Sequence, residues 1–152
     1  MVKIGKSFTF EAAHRLQNHE GKCFNLHGHS YKIEVSIKGK TLVSDGPERG
    51  MLLDFGTLDE WWRLTEPRYD HMTLLEESDP IAALLKSNVT VNGVPIGLHL
   101  TTFPWPPTAE HLAKELADSL EEYLIGEYSN SGGLDATVRV YETAKSWAEA
   151  KA

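Results

Sequence analysis

The chain has 152 residues, enough for one domain with a proper core and too few for two comfortable ones. Its 22 acidic and 15 basic residues leave a net charge of -7 with no basic block, which argues against a nucleic-acid partner. A single cysteine excludes an internal disulfide, and no apolar run has secretory or membrane-spanning length, so a cytoplasmic protein with no membrane partner is expected.

The segment Ser7–His14 alternates with period two, which predicts a strand carrying Phe8, Phe10, Ala12 and His14 on one face. Residues 15–26 are polar and read as a loop. A second strand is expected from about His27 to Lys38, because Tyr31, Ile33, Val35 and Ile37 alternate with polar residues. His27 and His29 share that parity and extend the apolar face. After Gly39-Lys40, the turn residues Ser44-Asp45-Gly46-Pro47 predict a returning strand within 40–54. Thr57-Leu58-Asp59-Glu60 has capping-box spacing and predicts a helix with Leu58, Trp61, Trp62 and Thr65 inward, stopped by Pro67.

Asp79-Pro80 predicts a short helix through Leu85, and Asn92-Gly93 predicts a hairpin. Thr108 then caps the clearest helix, whose apolar face is Leu112, Leu116, Leu120 and Leu124. The last predicted strand is Ala136–Glu142, with Val138, Val140 and Glu142 on one face; a carboxylate there needs a partner. This order implies an α+β fold with helices packed on a mostly antiparallel sheet.

The chemistry concentrates in His14, His27 and His29. Three histidines at the ends of adjacent strands suit a catalytic zinc site, with three protein ligands and a fourth position for water or substrate. The alternative is a satisfied core histidine at His14 and a coincidental His-x-His. Cys23 lies beside Lys22, four residues before His27, where positive charge would favour the thiolate needed for base or nucleophile work. A fourth, structural zinc ligand is its rival role. Asp70-His71 could polarise a thiol or a substrate oxygen, although adjacent side chains on a strand would not bond each other. As an isolated dipeptide it equally fits a solvated loop. Glu110 at the helix start and Glu142 are the carboxylates of interest.

In order along the chain come Phe8-Thr9-Phe10-Glu11-Ala12-Ala13-His14, Cys23-x-x-x-His27-Gly28-His29, Gly50-Met51-Leu52-Leu53-Asp54-Phe55, Asp70-His71, Pro107-Thr108-Ala109-Glu110 and Glu142-Thr143. Together they resemble the 6-pyruvoyl-tetrahydropterin synthase family, most of all the bacterial 6-carboxy-tetrahydropterin synthases of the queuosine pathway. That resemblance implies a tunnelling fold, with an antiparallel barrel formed by oligomerisation, helices on one face, and hexamers built as two trimers. It implies Zn2+ on His14, His27 and His29, with Cys23 moving protons, Asp70 and His71 as a relay pair, and Glu142 anchoring a pterin and sharing in the relay. Glu110, with Thr108 before it, matches a second pocket carboxylate. The implied substrate is 7,8-dihydroneopterin triphosphate, converted to 6-carboxy-tetrahydropterin, acetaldehyde and triphosphate. Arg15 and Lys22 are the nearest cations for the triphosphate.

The stretch from about 76 to 106 is longer than compact members of that family carry and reads as an insertion in a single domain spanning 1–152. Leu74-Leu75 replaces a leucine-asparagine pair after Asp70-His71. Two other readings fit the same motifs: a pyruvoyl-forming synthase that only eliminates triphosphate, and a non-catalytic metal- or pterin-binding oligomer.

Overall fold

Two strands of equal length set the frame: β1 (Val2–His14) and β2 (His27–Gly39) pair antiparallel along their whole length, from Val2 opposite Gly39 to His14 opposite His27. The structure is a computed structural model and describes residues 1–86, 90–95, 98–128 and 133–152. Its remaining elements are α1 (Phe55–Thr65), β3 (Met72–Glu76), α2 (Pro80–Lys86), β4 (Thr90–Val91), β5 (Val94–Pro95), β6 (Leu100–Phe103), α3 (Ala109–Glu127), β7 (Asp135–Tyr141) and β8 (Trp147–Lys151). One sheet runs in the order β6-β3-β1-β2-β7-β8, with β4 and β5 as a separate hairpin.

The sheet is mixed. β1, β2, β7 and β8 pair antiparallel, while β3 runs parallel to β1 and β6 parallel to β3. Each parallel pair needs a crossover, and α1 supplies part of one and α2 part of the other. The alternation along β1 and β2 does what its period requires. Phe10, Ala12 and His14 are buried with Tyr31, Ile33, Val35 and Ile37, against Trp61 and Trp62 of α1 and Leu112, Leu116 and Leu120 of α3. Phe10 stacks on Tyr31 at 4.7 Å between ring centroids. Each such side chain contributes roughly 1.5–3 kcal/mol by leaving water, so this face is strongly fixed and the opposite face is left polar.

Two expectations change. No strand forms within 40–54: Gly46 and Gly50 take φ of 81° and 85°, and only Val43 closes on the far side, through bonds with Gly50 and Met51 at 2.9 Å. Helix α1 starts before Thr57, because Asp54 is its cap and accepts from Gly56 N at 2.7 Å, while Thr57 turns its hydroxyl to Tyr128 at 2.8 Å. Within the 76–106 stretch, β6 joins the main sheet beside β3. Within it the Asp79-Pro80 start of α2 and the Asn92-Gly93 turn, with φ of 52° and 78°, form as expected. Val89 and Ile96 at the hairpin ends lie outside the described residues. Among the described residues no helix is long and apolar enough to cross a membrane.

Candidate metal centre and active site

At the ends of β1 and β2 the helix-facing side changes from apolar packing to imidazoles. His14, His27 and His29 bring their ring nitrogens within 4.8 Å of one another. Gly28 between the two β2 histidines keeps the strands close: a Cβ there would lie 3.2 Å from the Ala12 carbonyl oxygen.

The hydrogen bonds fix which nitrogens are free. His14 Nδ1 meets the Pro107 carbonyl at 2.9 Å, and His27 Nδ1 meets the Asn25 carbonyl at 2.7 Å. A carbonyl only accepts, so each Nδ1 carries the proton and each Nε2 of a neutral ring carries a lone pair. Those two Nε2 atoms face each other at 3.1 Å, and His29 Nε2 is buried with no hydrogen-bond partner among the described residues. Facing lone pairs repel unless a cation lies between them. Two nitrogens about 2.0–2.1 Å from one tetrahedral centre lie about 3.3 Å apart, close to this separation. Burial is the main cause that lowers the affinity of His14 and His29 for protons, which keeps them in the form that ligates. The donor set therefore fits a metal ion with three protein ligands.

Glu142, just past β7, places Oε1 3.5 Å from His14 Nε2 and 3.9 Å from His29 Nε2. The carboxylate on the apolar face thus has partners in this cluster. The Tyr31 ring is 5.6 Å from His29 and 6.0 Å from His14, and its hydroxyl is buried with no hydrogen-bond partner among the described residues. Burial, then Glu142 and Cys23, push the phenol up. Cys23 itself is half-buried in the single 3-10 turn Lys22–Phe24, and its carbonyl accepts from Leu16 N at 2.8 Å.

Residues 3–152 match the protein family described as 6-pyruvoyl tetrahydropterin synthase. The chain belongs to that family. A 6-carboxy-5,6,7,8-tetrahydropterin synthase of Haemophilus influenzae is 32% identical to it across 98% of both chains. One from Synechocystis sp. is 40% identical, over 63% of this chain and 80% of its own. Among solved structures, the 6-pyruvoyl tetrahydropterin synthase of Plasmodium falciparum superposes with a TM-score of 0.73 at 17% identity, covering 99% of this chain and 97% of that one. An uncharacterized protein of Wolinella succinogenes gives 0.71 at 22%, with the same coverage. At those identities the likeness concerns the fold.

Asp70 and His71, picked out by likeness to the synthase family, lie on the turn before β3. His71 N donates to the Glu11 carbonyl at 2.6 Å just before β3 begins, and its side chain is exposed. An open cavity of about 400 Å³ lies there, lined among others by Glu11, Gly28, His29, Ser30, His71 and Thr73. Contrary to the sequence expectation, Asp70 and His71 do bond: Nδ1 to Oδ2 at 2.6 Å, because His71 takes φ of 57° and leaves strand geometry. Asp70 Oδ1 accepts from Glu11 N at 2.9 Å. That bond is the main cause holding the Asp70 carboxyl low, and Asp70 in turn raises His71.

Thr108 caps α3 by accepting from His111 N at 3.4 Å, and Glu110 is exposed in the first turn. Arg15 is held by Asp79 through two bonds of 2.6 and 2.8 Å, so its charge is already balanced. Lys22 is exposed, with no side-chain partner among the described residues. Sequence reasoning missed the Asn25 and Pro107 carbonyls and Tyr31. Backbone acceptors carry no side-chain signal, and Tyr31 was legible only as one more residue of the apolar face.

Proposed function

We propose that the protein is a zinc-dependent lyase that converts 7,8-dihydroneopterin triphosphate to 6-carboxy-5,6,7,8-tetrahydropterin, acetaldehyde and triphosphate in queuosine biosynthesis. The observation that carries the reading is the set of three imidazoles whose free nitrogens converge beside Glu142, in a chain related along its whole length to 6-carboxy-5,6,7,8-tetrahydropterin synthases. The bound Zn2+ would act as a Lewis acid on the substrate's side-chain oxygens.

The chain's own residues do the rest. Glu142 accepts hydrogen bonds from the pterin N–H groups and so fixes the ring beside the histidines, where proximity lowers the barrier. Cys23, half-buried in the Lys22–Phe24 turn, takes a proton from the ring-adjacent side-chain carbon and returns it during cleavage. His71, oriented by Asp70, exchanges that proton with solvent. Glu110 and Thr108 border the pocket from the start of α3, and Lys22 is a better cation for the triphosphate than Arg15, which Asp79 already neutralises.

The cavity that His71 lines includes His29 but neither Cys23 nor Glu142. We read this as a homo-oligomer, a hexamer of two trimers closing a barrel, in which a neighbouring copy completes each pocket. The chain is then one tunnelling-fold domain, with α2 and the β4–β5 hairpin as its addition.

The test is Cys23→Ala. It should abolish turnover while zinc content stays at the wild-type level. Loss of zinc in the same variant would make Cys23 a fourth ligand and sink its proton-transfer role, and full turnover would sink that role outright.

A further inference from the structure

Asp70 and His71 sit on the turn between the Glu66–Arg68 3-10 turn and β3. Tyr69 N and Asp70 N both donate to the Glu66 carbonyl, at 2.8 and 2.9 Å, and Thr101 Oγ1 donates to the Arg68 carbonyl at 2.8 Å. His71 nevertheless holds a left-handed conformation unusual for any residue but glycine. Such a conformation persists where its surroundings over-determine it.

The two side chains just before the pair supply those surroundings by reaching α3. Arg68 lays its guanidinium over Phe103, 4.9 Å from the ring centroid, and places Nη1 2.6 Å from Glu115 Oε1. Tyr69 is buried beside the same carboxylate, its ring 5.7 Å from Phe10 and 6.2 Å from Phe103. Glu115 Oε2 is buried with no hydrogen-bond partner among the described residues. Burial raises the Glu115 carboxyl, and Arg68 opposes that rise.

A half-buried carboxylate with an orphaned oxygen is costly, and α3 does not need it to dock, since Leu112, Leu116 and Leu120 already bury its face. Arg68 is about half exposed, at 51%, so the ion pair adds little stability of its own. What the pair does is geometric. The same helix begins after Pro107, whose carbonyl orients His14. One rigid element therefore touches both halves of the proposed chemistry.

We propose that Glu115 is a positioning residue: through Arg68 and Tyr69 it ties the Asp70–His71 turn to α3 and fixes the direction in which His71 is presented. The consequence for turnover rests on the reading above, in which Asp70 and His71 take part in proton transfer.

The test compares wild type, Glu115→Ala and Glu115→Gln as full-length, zinc-loaded protein, by histidine side-chain NMR and steady-state kinetics. Glu115→Ala should move the His71 resonances and lower kcat by about tenfold to a hundredfold, the range a displacement near 1 Å produces. Its KM should stay within about twofold, since the substrate-binding groups are untouched. Glu115→Gln keeps an oxygen for Arg68 and should recover most of the loss. His71 resonances unmoved in both variants would overturn the proposal. Resonances that move while kcat holds would uphold the positioning and refute the role of the Asp70–His71 pair in the reaction.

Discussion

Stripping the metal and refilling it should change stability in the wild type and not in His27→Ala. The Nε2 lone pairs of His14 and His27 stand 3.1 Å apart, with His29 Nε2 buried beside them. A metal that binds only the folded protein, at a hundred times its dissociation constant, stabilises by about 2.7 kcal/mol. In a chain of this size that is a rise in Tm of roughly 5–11 °C, taking about 2–4 °C per kcal/mol. His27 is the residue to change, because it is only half-buried whereas His14 is fully buried and bonded to Pro107. His27→Ala removes one of three ligands and should keep almost none of the shift. Scanning calorimetry at one fixed protein concentration, with and without Zn2+, reads both numbers. Equal shifts in wild type and variant would refute the reasoning, because the ion would then be held elsewhere.

Asp70→Asn should move the acid–base transition of His71 down toward 6.5, since the carboxylate is the first cause of its raised value; an unmoved kcat/KM limb refutes this. The stability His71 adds by pairing is fully present below pH 6.5 and lost as pH rises through its raised folded value, so Asp70→Asn should cost stability at pH 5–6 and little well above neutrality. Asp79→Ala leaves the part-buried Arg15 without its partner and uncaps α2, so denaturant unfolding should show a loss of about 3 kcal/mol, and a loss under 1 kcal/mol would contradict this reading of the pair. Lys22→Ala should raise KM and leave kcat; an unchanged KM would remove Lys22 from triphosphate binding.

The three histidines were legible because β1 and β2 are long, regular and buried on one face, so parity alone aligned His14, His27 and His29 with Phe10 and Tyr31. Glu142 followed from the same rule, as the one carboxylate in phase with Val138 and Val140. The position of His71 was not legible. It depends on β3 joining β1 in parallel, and Met72-Thr73-Leu74-Leu75-Glu76 is a short apolar run flanked by strands on both sides, which carries no alternation to read. Arg15 looked free for the triphosphate because its partner Asp79 lies 64 residues away. Strand β8 was missed because Trp147–Lys151 pairs only with β7 and lies at the sheet edge, largely exposed.

The most direct measurement is mass spectrometry of the products after the zinc-loaded protein is incubated with 7,8-dihydroneopterin triphosphate. The account predicts 6-carboxy-5,6,7,8-tetrahydropterin with acetaldehyde and triphosphate. A pyruvoyl-pterin with triphosphate would keep the site and contradict the cleavage, and unchanged substrate with folded, zinc-bound protein would contradict the enzyme altogether.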